Sequence, residues 1–185
     1  MTIPTHRHSG ENSLPHSTSP PVKLVVMGVS GCGKSSVAEA LCQQLGWTML
    51  EGDAFHSPAN KAKMHDGVPL TDDDRAGWLD AVGLALQAQD SGTVASCSAL
   101  KCAYRERLRA RVVGLRFVFL KIDPASALAR VGQRMSSHFF PATLVDNQFQ
   151  TLQSPEGEPL VLSLDATRPL AELCEATVAW LATAT

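Results

Sequence analysis

Eight consecutive residues define the chemistry open to this chain: Gly28-Val29-Ser30-Gly31-Cys32-Gly33-Lys34-Ser35. They fit G-x-x-x-x-G-K-[ST], the phosphate-binding loop or P-loop. Glycines let the backbone wrap closely, so that its N–H groups point at a phosphate. A helix beginning at the lysine adds its positive end. Lys34 can reach the β- and γ-phosphates, and the Ser35 hydroxyl can ligate Mg²⁺. The flanks agree with the motif. Residues 22–27 form a short apolar run that reads as a buried strand, and residues 36–45 carry apolar residues at helical spacing.

Further candidates follow later apolar runs. Asp53, in Glu51-Gly52-Asp53-Ala54-Phe55-His56, can hold Mg²⁺ through water or accept the proton of an attacking hydroxyl; the other reading is a turn residue or helix cap. Glu51 carries neither reading over the other. His56 can donate to a substrate oxygen or cap its loop. Arg75 has the fork geometry to grip a carboxylate, and it can equally pair with Asp72 on the surface. Asp73 belongs with Asp72 and Asp74 in the first turn of a helix capped by Thr71 or Asp72. Ser98 either caps a helix or offers its hydroxyl to a ligand. Lys101 and Arg105 are four apart, which puts two cations on one helical face, facing an anion or solvent. Asp123-Pro124 ends an apolar run like a Walker B aspartate, but an N-cap with proline at the first helical position is the simpler account. Arg130 and Arg134 are again four apart, before the interruption Ser136-Ser137-His138-Phe139-Phe140-Pro141. Arginines at the base of such a segment suit a lid closing over a triphosphate. Cys32, at a helix start, is either a redox-sensitive thiol or a small filler.

The elements that must position these residues alternate. Strands are expected at 22–27, 47–50, 93–97, 115–122 and 160–164, and helices near 35–45, 73–89, 101–111, 124–133, 142–152 and 170–182. Continuous apolar strands alternating with helices predict an α/β fold with a parallel sheet covered on both faces. Ligands of such sheets lie beyond the carboxyl ends of the strands. The chain has 185 residues, enough for one domain with a substantial core. Its formal net charge of −2 argues for neither a nucleic-acid partner nor a membrane surface. Five scattered cysteines without metal-ligand spacing read as reduced intracellular thiols. Residues 1–21, rich in Pro, Ser, Thr and His, read as a disordered leader lacking the apolar stretch of a secretory signal. Residues 22–185 then form a single domain.

Together these residues resemble the gluconokinases, small P-loop kinases similar to shikimate kinase. The resemblance runs from about Val25 to Leu152. It is carried by the P-loop; by Gly52-Asp53 with His56, Asn60, Lys63 and Met64; and by Pro69-Leu70-Thr71-Asp72-Asp73-Asp74-Arg75 with Trp78-Leu79. Cys97-Ser98-Ala99-Leu100-Lys101 with Tyr104-Arg105, His138-Phe139-Phe140-Pro141, and Gln148-Phe149 with Thr151-Leu152 complete it. It implies a three-layer α/β/α P-loop kinase fold with a five-stranded parallel sheet and a mobile lid over about 130–142. It implies transfer of the ATP γ-phosphoryl to the 6-hydroxyl of D-gluconate, with another small-molecule kinase such as a shikimate kinase as the rival. Mg²⁺ would sit on Ser35 and Asp53, and Gly28 to Ser35 would hold the nucleotide. Lys34, Asp53, Arg130 and Arg134 would be catalytic. Asp53, His56, Arg75, Ser98, Lys101, Arg105 and His138 would bind substrate. A cytoplasmic enzyme of gluconate utilization, often a homodimer, is the corresponding setting. The chain departs from the family pattern at Ser57 and Gly77, where proline is common, and at Glu106. It also has one extra residue between Arg134 and His138.

Overall fold

A computed structural model describes residues 20–134 and 142–183. The apolar runs become five strands: β1 (Lys23–Met27), β2 (Thr48–Glu51), β3 (Thr93–Ser96), β4 (Arg116–Lys121) and β5 (Val161–Asp165). All pair in parallel, in the order β2-β3-β1-β4-β5. Seven helices are seen among the described residues: α1 (Lys34–Leu45), α2 (Pro58–His65), α3 (Asp72–Gln87), α4 (Cys102–Arg111), α5 (Pro124–Arg134), α6 (Ala142–Thr151) and α7 (Leu170–Thr183).

Every residue of β1 is buried, because the strand lies in the middle of the sheet with helices on both sides. Alternation divides its side chains between two cores. Leu24 and Val26 join Val118 and Leu120 of β4 beneath α1, α5 and α7. Val25 and Met27 join Phe117 and Phe119 beneath α3 and α4. The result is three layers, helix on sheet on helix. Truncating the fully buried Phe117 to alanine would cost about 3–5 kcal/mol.

The helix starts differ in a way that bears on function. The Ser57 hydroxyl accepts from Asn60 N, with Pro58 opening α2, so Ser57 is the N-cap of that helix. Thr71 and Asp74 form a capping box on α3. Asp123 Oδ1 accepts from Ser126 N at 2.9 Å, so Asp123 is an N-cap, as its simpler account predicted. The start of α1 has no side-chain cap and no acid in its first turn. Its free N–H groups and positive end remain available to an anion.

Helix α2 had no counterpart among the sequence-based expectations. The leader expected over 1–21 lies outside the described residues except for Pro20 and Pro21. The lid expected over 130–142 includes residues 135–141, which are also outside them. No helix among the described residues is long and apolar enough to cross a membrane.

Candidate active site

The P-loop joins β1 to α1, its backbone in the left-handed region at Gly31 (φ 84°) and Gly33 (φ 98°). A Cβ on Gly31 would lie 2.6 Å from the carbonyl oxygen of Ala127, so α5 packs against the loop at a distance only glycine allows. Lys34 Nζ donates to Val29 O at 3.1 Å. That leaves two of its three hydrogens for other oxygens. Cys32 is buried, and burial pushes its thiol up despite the nearby lysine and helix start. The filler reading of Cys32 fits; a reactive thiol needs exposure and a lowered pKa.

One cleft lies beyond the carboxyl ends of the central strands. Lys34 and Ser30 line it on the P-loop side, Asp53 and His56 after β2, Ser98 after β3, and Arg75 on α3. Asp53 is the second residue of a short 3₁₀ turn, Gly52–Phe55, and its side chain is 75% exposed. Gly52 is required there, because an added Cβ would lie 2.1 Å from Ser96 O. Glu51, just before, accepts from the Ser96 hydroxyl, which in turn accepts from Gly52 N at 3.3 Å. Glu51 therefore serves the strand junction.

His56 is buried, with its Nε2 4.0 Å from Asp53 Oδ1. Its Nδ1 has no hydrogen-bond partner among the described residues. Burial holds its pKa below the ordinary value, aided by Arg75 and Lys61 and opposed by Asp53. A neutral imidazole in that position can either accept from or donate to a hydroxyl.

Arg75 donates through Nη1 to Leu70 O and, at 3.4 Å, to the Tyr104 hydroxyl. The surface pair with Asp72 does not form. Asp72 instead takes Lys101 at 2.7 Å and the Tyr104 hydroxyl, which hold its carboxyl below the usual range. No protein acceptor occupies the Nε and Nη2 of Arg75 among the described residues.

The pairing of Lys101 and Arg105 on one face is corrected. Lys101 is the residue before α4, where helical spacing does not apply. It turns outward to Asp72, and Arg105 turns inward. Arg105 is 0% exposed. Its Nη1 donates to the carbonyls of Ala99 and Leu100, and its Nε and Nη2 to Glu158. Arg105 does not line the cleft. It braces the loop after β3, where Ala99 has φ 44°, a conformation costly for a residue with a Cβ. That loop also reaches the P-loop, since Ser98 O accepts from Gly28 N at 3.3 Å.

A second groove lies on the other side of the P-loop, lined by Gly31, Gly33, Ser36, Arg130, Ala166 and Arg168. Arg130 Nη2 donates to Ala166 O at 3.0 Å. The loop after β5 thus borders the groove beside the phosphate loop. Arg134 ends α5, but its side chain lies outside the described residues, as does all of His138.

Two residues of this site, Trp78 and Gln148, helped carry the family resemblance but were given no role by the sequence reading. The Trp78 indole donates to Gly52 O and stacks on His56. Gln148 of α6 accepts from Ser30 N.

Comparison with known proteins agrees with the geometry. Residues 24–155 match the family model described as an AAA domain. A gluconokinase of Gluconobacter oxydans is 46% identical over 142 residues, covering 75% of this chain and 79% of that protein. The chain belongs to the gluconokinase family. The crystal structure of a gluconokinase from Sinorhizobium meliloti matches with a TM-score of 0.81 at 46% identity, covering 88% of this chain and 93% of that one. Shikimate kinase from Aquifex aeolicus shares the fold, with a TM-score of 0.55 at 12% identity, covering 88% and 97%. The gluconokinase family thus accounts for sequence and fold together, whereas the likeness to shikimate kinase is one of fold.

Proposed function

We propose that this chain transfers the γ-phosphoryl group of ATP to the 6-hydroxyl of D-gluconate, giving 6-phosphogluconate and ADP. The observation that carries the reading is the single cleft shared by Lys34, Asp53 and Arg75. An ammonium, a carboxylate and a guanidinium around one volume support the reading, since the first suits phosphate and the last a substrate carboxylate.

The P-loop N–H groups and the start of α1 hold the β-phosphate. Lys34, with Arg130 and Arg134, neutralises charge spread over the transferring group. Asp53 orients the acceptor hydroxyl and takes its proton. His56 and Ser98 hydrogen-bond the polyol, and the unpaired side of Arg75 grips the carboxylate. His138 and Lys101 belong to the same reading as further substrate contacts. Arg105 is left out of it, because it is buried away from the cleft and its guanidinium is bonded to Glu158, Ala99 O and Leu100 O.

Mg²⁺ fits this donor set. The Ser35 hydroxyl and Asp53 are the available oxygens, and the described residues hold no cluster of three or more His, Cys, Asp or Glu. Mg²⁺ suits such a site, since it keeps several waters and binds through one or two protein oxygens plus phosphates. When bound it would neutralise developing charge on the phosphates. The second groove, beside Arg130 and Ala166, suits the nucleoside. A cytoplasmic, homodimeric enzyme without nucleic-acid or membrane partners completes the proposal.

The test is ATP consumption by the purified chain with D-gluconate, other sugar acids and shikimate. Turnover confined to D-gluconate, with phosphate on its 6-hydroxyl, supports the reading. Turnover of shikimate alone, or binding of ATP without turnover, overturns it.

A further inference from the structure

The carboxamide of Gln148 has no part in the mechanism above, yet it lines the acceptor cleft with Lys34, Asp53 and Ser98. Ser30 donates its backbone N–H to Gln148 Oε1 at 2.6 Å. A backbone N–H can only donate, so this bond fixes how the carboxamide is turned: oxygen to the loop, NH₂ on the other branch. That NH₂ has no acceptor among the described residues.

Surrounding bonds hold Gln148 in place. Leu152 N donates to Gln148 O at 2.9 Å. The next residue, Gln153, donates from N to Leu100 O at 2.9 Å and accepts from Cys102 N at 2.7 Å. Gly28 N then returns to Ser98 O. These contacts close a ring from the P-loop through α6 to the loop after β3 and back. A side chain anchored at its tip and at its base presents its remaining donor without reorganisation, the condition under which such donors count most.

We infer that Gln148 is a catalytic residue, its Nε2 donating to an oxygen of the transferring γ-phosphoryl group while its Oε1 stays on Ser30. The oxygens of that group gather negative charge as transfer proceeds, and a carboxamide NH₂ is a neutral donor to them. The turnover part rests on the kinase reading; recognition of the γ-phosphate does not.

The test uses Gln148→Glu and Gln148→Met in the full chain. Glutamate keeps an acceptor for Ser30 but removes the donor; methionine keeps the length without charge. Affinities for ADP and for a non-hydrolysable ATP analogue are measured by calorimetry, alongside melting temperature and steady-state kinetics with gluconate. Both variants should lose roughly a hundredfold in kcat with little change in gluconate KM. Gln148→Glu should keep the ADP affinity of the wild type and bind the analogue about tenfold more weakly. Wild-type kcat in either variant, or an unchanged analogue-to-ADP ratio in Gln148→Glu, overturns the inference and leaves Gln148 a tether. If Gln148→Glu does not fold, the methionine variant's kcat and its analogue-to-ADP ratio decide. If the wild type leaves gluconate unmodified while Gln148→Glu selectively loses the analogue, the functional proposal falls and this inference stands.

Discussion

The ring of His56 lies on the indole of Trp78, with centroids 4.3 Å apart and planes 14° from parallel. The same indole donates to Gly52 O at 2.7 Å. One side chain of α3 therefore sets both the residue before Asp53 and the histidine three residues after it. Trp78→Phe keeps a ring against His56 but removes the N–H. We expect a stability loss of about 1–2 kcal/mol in urea unfolding. We also expect kcat to fall roughly tenfold or more as Asp53 loses its support. A stability loss with unchanged kcat would confine Trp78 to the core.

His56 makes stability depend on pH with a definite sign. Burial lowers its folded pKa below the ordinary 6.5. Below that value the unfolded chain takes up a proton before the folded one does, so unfolding binds protons and stability falls as pH falls. The contribution is complete above pH 6.5 and is lost toward the lower folded value. Melting temperature should drop across this window in the wild type, and less in His56→Gln.

Lys34→Ala should lose nearly all turnover, and Asp53→Asn roughly two to four decades of kcat, with the fold intact by circular dichroism. A near-wild-type rate for Asp53→Asn would remove it from catalysis.

Arg75→Ala should chiefly raise the gluconate KM, with Arg75→Lys intermediate because a lysine cannot reproduce the fork. A rise confined to the ATP KM would mean that Arg75 faces the nucleotide.

Arg105 should behave as a structural residue. Its removal leaves Glu158, Ala99 O and Leu100 O short of donors, a loss of about 3 kcal/mol or more. Urea unfolding of Arg105→Met checks this, and Glu158→Gln should be milder. If Arg105→Met instead keeps its stability and raises the gluconate KM, the buried brace is misassigned.

Much of this architecture was legible along the chain. The five strands fall within a residue or two of their apolar runs, because each run is a continuous local signal, whether the strand is buried throughout like β1 or half-buried like the edge strands β2 and β5. The P-loop was legible for the same local reason. Helix α2 was not. Asn60 is its buried residue, and Lys61, Lys63 and His65 leave no apolar face to mark a period. The placing of Lys101 and Arg105 on one face was misread because a charged pair four apart looks like one exposed face. The partner that turns Arg105 inward, Glu158, lies 53 residues away.

By itself, then, the amino-acid sequence determined the five strands, six of the seven described helices, the phosphate loop and the caps at Thr71 and Asp123, since each depends on hydrogen bonds and side-chain periodicity within a few residues. Only the tertiary structure decided which charges and amides meet. The strand order β2-β3-β1-β4-β5 brings the loops after β1, β2 and β3 side by side. It allows α6 to touch a loop 118 residues earlier, at Ser30. A buried cation or carboxamide is committed by whichever partner that packing supplies, and spacing along the chain carries no record of it.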